Sequence, residues 1–280
     1  MIHPFHQETT MHISSIELLT SNIEKAKAFY IDLLGLSILN ETSSSIDLGT
    51  SNNHLLIKLI ENKDAAKNNK TLGLYHFALL LSSKAYLASV LYQLSTHNYP
   101  ITGLSDHGVS LAIYLDDPDG NGIEIYVDRD KSMWPTQNGQ IEMYTKALDL
   151  NDLMKSLPKE PYVNIDPNTV MGHLHFHVAD LDQASYFYVD VLGFEMIQNY
   201  FNSALFISSS KYHHHLGLNT WNKGASLRQP SDVGLISYQL NIPKKDFLTL
   251  EKRLSKANVP ITNNNAIKDP LGQTVYITVV

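Results

Sequence analysis

Two hydrophobic periods recur along the chain. In MGHLHFHVADL, residues 171–181, His173, His175 and His177 stand at alternate positions of an otherwise apolar run. A period of two is that of a strand, so the three imidazoles should share one face. Shortly after it, ASYFYVDVLGF (184–194) has the apolar spacing of an amphipathic helix and closes on Gly193. The same pattern stands at AKAFYIDLLGL (26–36), closing on Gly35, and a glycine there caps a helix C-terminus. A looser pair sets GLYHFALLL, LSTHNYPIT and DPDG in the first half against GLISYQLNI, LSKANVPIT and DPLG in the second. These repeats predict four units, each a strand, a helix and several strands, starting near residues 12, 73, 171 and 234. Residues 130–169, with NDLMKSLPKEPYVNIDP, have the prolines and polar residues of a linker. We therefore expect an α+β protein with a first domain at 10–129, a linker at 130–169 and a second domain at 170–280.

Composition narrows the function. A chain of 280 residues can fill two cores. Its net charge of -7 argues against a nucleic-acid partner, which would favour a basic face. No apolar run approaches the roughly 18 residues of a membrane span. MIHPFHQETT lacks the basic start and apolar core of a signal peptide, so a cytoplasmic location is expected. Without cysteine, any metal must be held by His, Asp or Glu.

Four units with FY.D.LG in the first helix of each half resemble the vicinal oxygen chelate superfamily of glyoxalases, bleomycin and fosfomycin resistance proteins and ring-cleaving dioxygenases. The resemblance spans nearly the whole chain and implies four βαβββ units forming two domains of mixed, barrel-like open sheets. HGVSLAIYLDDPDGNGIE is more specific: His107, Ile113, Tyr114, Asp117, Pro118, Gly120 and Glu124 match the signature of extradiol ring-cleavage dioxygenases of the catechol 2,3-dioxygenase type. Ser105, two residues before the histidine, departs from it. GLYHFA and YHHH are similar to segments of bacterial members of that type.

In this superfamily, metal ligands come from the first and last strands of the units. The first-strand positions here are Ser15, His76, His173 and Ser237, and the last-strand positions are Glu124 and Tyr276. Pairing in chain order leaves neither domain with three good ligands. Pairing the two middle units across the linker brings His76, Glu124 and His173 together, the two-histidine, one-carboxylate set of non-haem Fe(II) oxygenases. We therefore expect units two and three to share one open barrel. An isomerase of the fold would add a fourth ligand near Gly217, and glycine has no side chain to offer.

For the remaining residues the resemblance implies roles. His214 is the expected acid/base, with His213 and His215 as alternatives. Tyr114 is expected to donate a hydrogen bond to a substrate oxygen, and His107 to contact substrate. His175 and His177, together with His213 and His215, are candidate substrate contacts or supports behind the ligands, though polar groups satisfied inside a barrel would look the same. His3, His6, His12, His54 and His97 read as surface residues. The implied cofactor is Fe(II), or Mn(II) in the same ligands, and the implied substrates are O2 and a catechol-like or hydroquinone-like diol. A homodimer is expected. The alternatives are a metal-dependent lyase, isomerase or thiol transferase, and a metal-free drug-binding protein of the same fold.

Overall fold

The repeated motifs turn out to mark one buried contact made twice. In this computed structural model, which describes residues 3–68 and 70–280, the helices Ile23–Lys27 and Leu181–Ser185 each widen into a π-helical segment, Ala28–Leu33 and Tyr186–Val191. The tyrosine of each FY pair then points inward. Tyr30 donates its hydroxyl hydrogen to Asp117 at 2.8 Å, and Tyr188 donates to Asp269 at 3.0 Å. Both aspartates open a DPxG turn. The Asp117 carbonyl accepts from Gly120 N–H, and Gly120 takes a positive φ of 84° that an L side chain resists. The helix of unit one is thus tied to unit two and that of unit three to unit four.

Each unit begins with a strand: His12–Thr20, Thr71–Leu81, Val170–His177 and Gly234–Ile242. The first three units add three strands after their helices, and the fourth adds Ala266–Lys268 and Thr274–Val279. Two sheets result. A ten-stranded sheet joins units two and three through antiparallel pairing of Thr71–Leu81 with Val170–His177. A seven-stranded sheet joins units one and four through His12–Thr20 and Gly234–Ile242. Residues 10–129 and 170–280 each contribute strands to both sheets, so hydrogen bonding groups the units across the connecting segment. Burial drives this grouping. Leu174 and Phe176 turn their side chains into one large apolar core that also takes Ile16, Leu18, Tyr238 and Leu240 from the other sheet.

The connecting segment is built into this frame. Lys146–Ala147 adds an edge strand against Gly103–Asp106. The Met143 N–H donates to the Gln198 side-chain carbonyl at 2.9 Å, and the Gln198 amide donates back to the Met143 carbonyl at 3.1 Å. These bonds lay residues 143–145 over the concave face of the ten-stranded sheet. No helix among the described residues is long and apolar enough to cross a membrane.

Candidate functional site

That concave face is organised in two rows of facing residues. In the first, Tyr114 lies opposite Glu124, Glu124 beside Ala78, and Ala78 opposite His173. In the second, Gly122 lies beside His76, His76 opposite His175, His175 beside Gly217, and Gly217 opposite Phe206. Ala78 is decisive, because on the strand between them only its methyl group stands between the side chains of Glu124 and His173. Glu124 Oε2 and His173 Nε2 approach to 3.1 Å across it. His76 leans in from the next row, its Nε2 3.2 Å from the same oxygen and 3.3 Å from His173 Nε2. A bulge between Met171 and His173 sets the last register, and it needs Gly172: a Cβ there would lie 2.1 Å from the Tyr126 hydroxyl.

The three groups are buried, and their donor atoms all lie within 4.8 Å of one another. Lone pairs this close repel unless a proton or a cation lies among them. Cis donors of an octahedral ion with bonds of roughly 2.1 Å stand about 3 Å apart, so the observed spacing fits a divalent metal. Burial alone would raise the Glu124 carboxyl, but His173 and His76 hold it well below the ordinary carboxylate range. Burial pushes His76 below the ordinary histidine range. Two imidazoles with one ionised carboxylate are the donor set a divalent cation takes.

A cavity of about 420 Å³ opens against this cluster. Its walls include Tyr75, His107, Tyr114, Phe206, His214 and Trp221, with residues 143–145 at its rim. His107 donates from Nδ1 to the Tyr144 carbonyl at 2.9 Å, which leaves Nε2 to accept the Tyr114 hydroxyl hydrogen at 2.7 Å. The Tyr114 hydrogen is therefore directed to His107 rather than into the cavity. Burial, then the charge of Glu124, raises the Tyr114 pKa well above the ordinary phenol value. Tyr114 stays protonated across the neutral range.

The other histidines separate by position. Of the three consecutive ones only His214 lines the cavity, its ring centroid 4.0 Å from that of His173. His213 lies behind it, between His214 and Asp128, with nitrogen-to-oxygen and nitrogen-to-nitrogen distances of 2.8 Å. His215 is turned away, bonded to Ser208 Oγ and the Phe5 carbonyl, and burial pushes it down to about 3. His175 lines the cavity, and its buried Nε2 has no partner. Its ring lies over Gly217, where a Cβ would come within 2.8 Å of it. The space a fourth ligand would need is thus filled by an imidazole from the next strand. His177 lies further along, its Nδ1 bonded to the Asn219 side-chain oxygen Oδ1 at 2.6 Å, and faces a separate polar cleft with Lys67 and Arg228.

Two expectations need correction. His6 and His12 are buried rather than superficial, because residues 3–12 fold back under the sheet. There His6 Nε2 donates to the Gly172 carbonyl at 2.8 Å, behind the bulge beside His173, and His12 Nδ1 donates to the Thr10 carbonyl. His54 and His97 are exposed, as expected. Cavity residues not foreseen are Tyr75, Phe206, Trp221 and 143–145. Tyr75 is the unpaired residue of a second bulge, between the His76–His175 and Leu74–Phe176 pairs, so strict alternation assigns it to the wrong face.

Comparison with known proteins agrees with this architecture. Residues 12–125 match the Glyoxalase/Bleomycin resistance protein/Dioxygenase superfamily. A protein of Bacillus subtilis (strain 168) named catechol-2,3-dioxygenase is 38% identical over 284 residues, covering 98% of both chains. Among solved structures, the CppA protein of Streptococcus pneumoniae superposes with a TM-score of 0.59 at 14% identity, over 96% of this chain and 99% of that one. Glyoxalase I from Zea mays superposes with a TM-score of 0.57 at 13% identity, over 96% of this chain and 92% of that one. At such identities the two structures speak for the fold alone. By the extent and identity of its likeness to the Bacillus subtilis protein, the chain belongs to the glyoxalase/bleomycin resistance protein/dioxygenase superfamily.

Proposed function

We propose that this protein is a non-haem Fe(II)-dependent extradiol dioxygenase that opens the ring of a catechol-like or hydroquinone-like diol with O2. The observation carrying the reading is the convergence of His76, Glu124 and His173 on the wall of a cavity large enough for a substituted ring. In it, these three side chains hold Fe(II), or Mn(II) in the same ligands. Such a metal, when bound, supplies Lewis acidity toward vicinal hydroxyls and an electron route between ring and dioxygen. His214 receives and returns the substrate proton, Tyr114 accepts a hydrogen bond from a substrate hydroxyl, and His107 orients Tyr114. His175 meets the substrate ring edge. His213 and, more remotely, His215 and His177 support the cavity wall. The name of the Bacillus subtilis relative supports a dioxygenase. The His175 ring over Gly217 weighs against an isomerase with a fourth protein ligand. The reading places the enzyme in the cytoplasm, as a homodimer.

Oxygen uptake by protein loaded anaerobically with Fe(II), against a panel of catechols and hydroquinones, tests it. Uptake tracking a ring-opened chromophore, and abolished in Glu124→Ala, is the expected result. One tightly held metal per chain without uptake on any ring would sink the oxygenase.

A further inference from the structure

Behind the cavity, three side chains form a hydrogen-bonded row whose polarity follows from the chemistry at its far end. Asp128 lies four residues after Glu124 on the strand Gly122–Asp128, hence on the same face. Its Oδ1 faces His213 Nε2 at 2.8 Å, and His213 Nδ1 faces His214 Nδ1 at 2.8 Å. His213 is wholly buried, with its ring centroid 3.9 Å from that of Tyr212 and 5.2 Å from that of Trp134. A carboxylate only accepts, so His213 carries its hydrogen on Nε2. With one hydrogen on the ring, His213 Nδ1 is bare and the facing His214 Nδ1 donates to it. His214 Nε2 is then a lone pair. Among the described residues it has no hydrogen-bond partner, and His214 lines the cavity.

We propose that Asp128 and His213 are positioning residues that fix His214 in its Nδ1–H tautomer, so that the cavity presents an acceptor for a hydroxyl-bearing ligand. The inference deepens the reading of His214 given above and rests on it for its consequence, but not for the tautomer itself. A ligand placing an O–H against His214 is favoured over its methyl ether, which has no hydrogen to offer.

Nitrogen NMR of the full-length, histidine-labelled protein, metal-free and Zn(II)-loaded, tests this. The expected spectrum shows His214 with a protonated Nδ1 and a bare Nε2. Asp128→Asn supplies an amide that can donate to His213 Nε2 and reverse the row, so the Nε2–H tautomer of His214 should appear and catechol should bind about tenfold more weakly. His213→Phe should also release the tautomer. His213→Gln should retain it, because one amide can donate to Asp128 and accept from His214. An Nε2–H tautomer or an imidazolium at His214 in the unsubstituted protein would overturn the proposal. So would an unchanged tautomer in both Asp128→Asn and His213→Phe. The spectrum is read without turnover, so a failure of oxygen uptake would count against the dioxygenase and leave this result standing.

Discussion

Glu124→Gln should affect stability far more when metal is added than without it. In the metal-free chain Glu124 is buried beside two imidazoles at 3.1 and 3.2 Å, and its burial is offset only by sharing a proton with one of them. Removing one charge of a buried pair is costly where its partner stays charged, but a histidine can release its proton, so the metal-free variant should lie within about 1 kcal/mol of the parent. Metal separates the two. A ligand at about 100 times its Kd stabilises the native state by about 2.7 kcal/mol. For 280 residues, an unfolding entropy of roughly 2.1 cal/mol/K per residue amounts to about 0.6 kcal/mol/K, so Tm should rise by about 4–5 °C. The variant keeps the volume of the side chain and loses its charge, and should rise by less than about 1 °C at the same metal concentration.

The assay is thermal unfolding of chelator-treated protein, followed during anaerobic titration with Fe(II) and separately with Mn(II). Equal shifts in parent and variant would refute the assignment of Glu124 as a ligand, since the ion would then be held elsewhere. A metal-free variant several degrees less stable than the parent would refute the charge argument. Such a result would make the carboxylate a structural partner of the histidines.

Three further outcomes follow from contacts and burial. Gly172→Ala places a Cβ 2.1 Å from the Tyr126 hydroxyl, so it should cost about 1–3 kcal/mol by chemical denaturation. Adding Tyr126→Phe should restore part of that, and strict additivity would disprove the clash. Gly217→Ala should cost a similar amount, about 1–3 kcal/mol, through the His175 ring, and His175→Ala in the same chain should remove most of the penalty in a double-mutant cycle. Burial raises Asp117 and Asp269 each to about 6, above the ordinary aspartate value. Folding therefore takes up protons between about pH 4 and 6, and this contribution is fully present below the ordinary value and lost as pH rises through 6. A displacement of about two pH units corresponds to roughly 3 kcal/mol per site. Denaturation midpoints of Asp117→Asn and Asp269→Asn should depend on pH less steeply than the parent in that window, and parallel curves would count against the two buried carboxyls.

How much of this was legible depended on local regularity. The face shared by His173 and His175 could be read because Leu174 and Phe176 alternate with them into the core. The pairing of units two and three could be read because only that choice collects two histidines and a carboxylate. Tyr75 was hidden by a bulge, which breaks alternation at one residue. Among the three consecutive histidines His214 could be preferred only through the family resemblance, because they precede the strand Leu216–Asn219 in a bent segment with no period to follow. The burial of His6 and His12 had no periodic signal either, since residues 3–11 pack as an irregular cover whose position only tertiary contacts decide.

The same scaffold appears twice, and the comparison argues for a cation in one half. In the seven-stranded sheet, Glu17 occupies a strand adjoining Gly234–Ile242, much as Glu124 faces the middle of the ten-stranded one. Glu17 is provided for by the chain: Lys58 Nζ lies 3.4 Å from one of its oxygens and Ser237 Oγ donates to the other. It is also partly open to water, its side chain 26% exposed. Glu124 is 3% exposed, and among the described residues no Lys or Arg nitrogen lies within the 4.0 Å of an ion pair with it. A carboxylate this deep is costly unless a positive charge accompanies it. The surrounding imidazoles are themselves pushed toward neutrality by burial, His76 and His175 among them. The chain has supplied a lysine for the outer carboxylate and only titratable imidazoles for the inner one. A divalent cation held among His76, Glu124 and His173 would supply the charge that the polypeptide does not fix there.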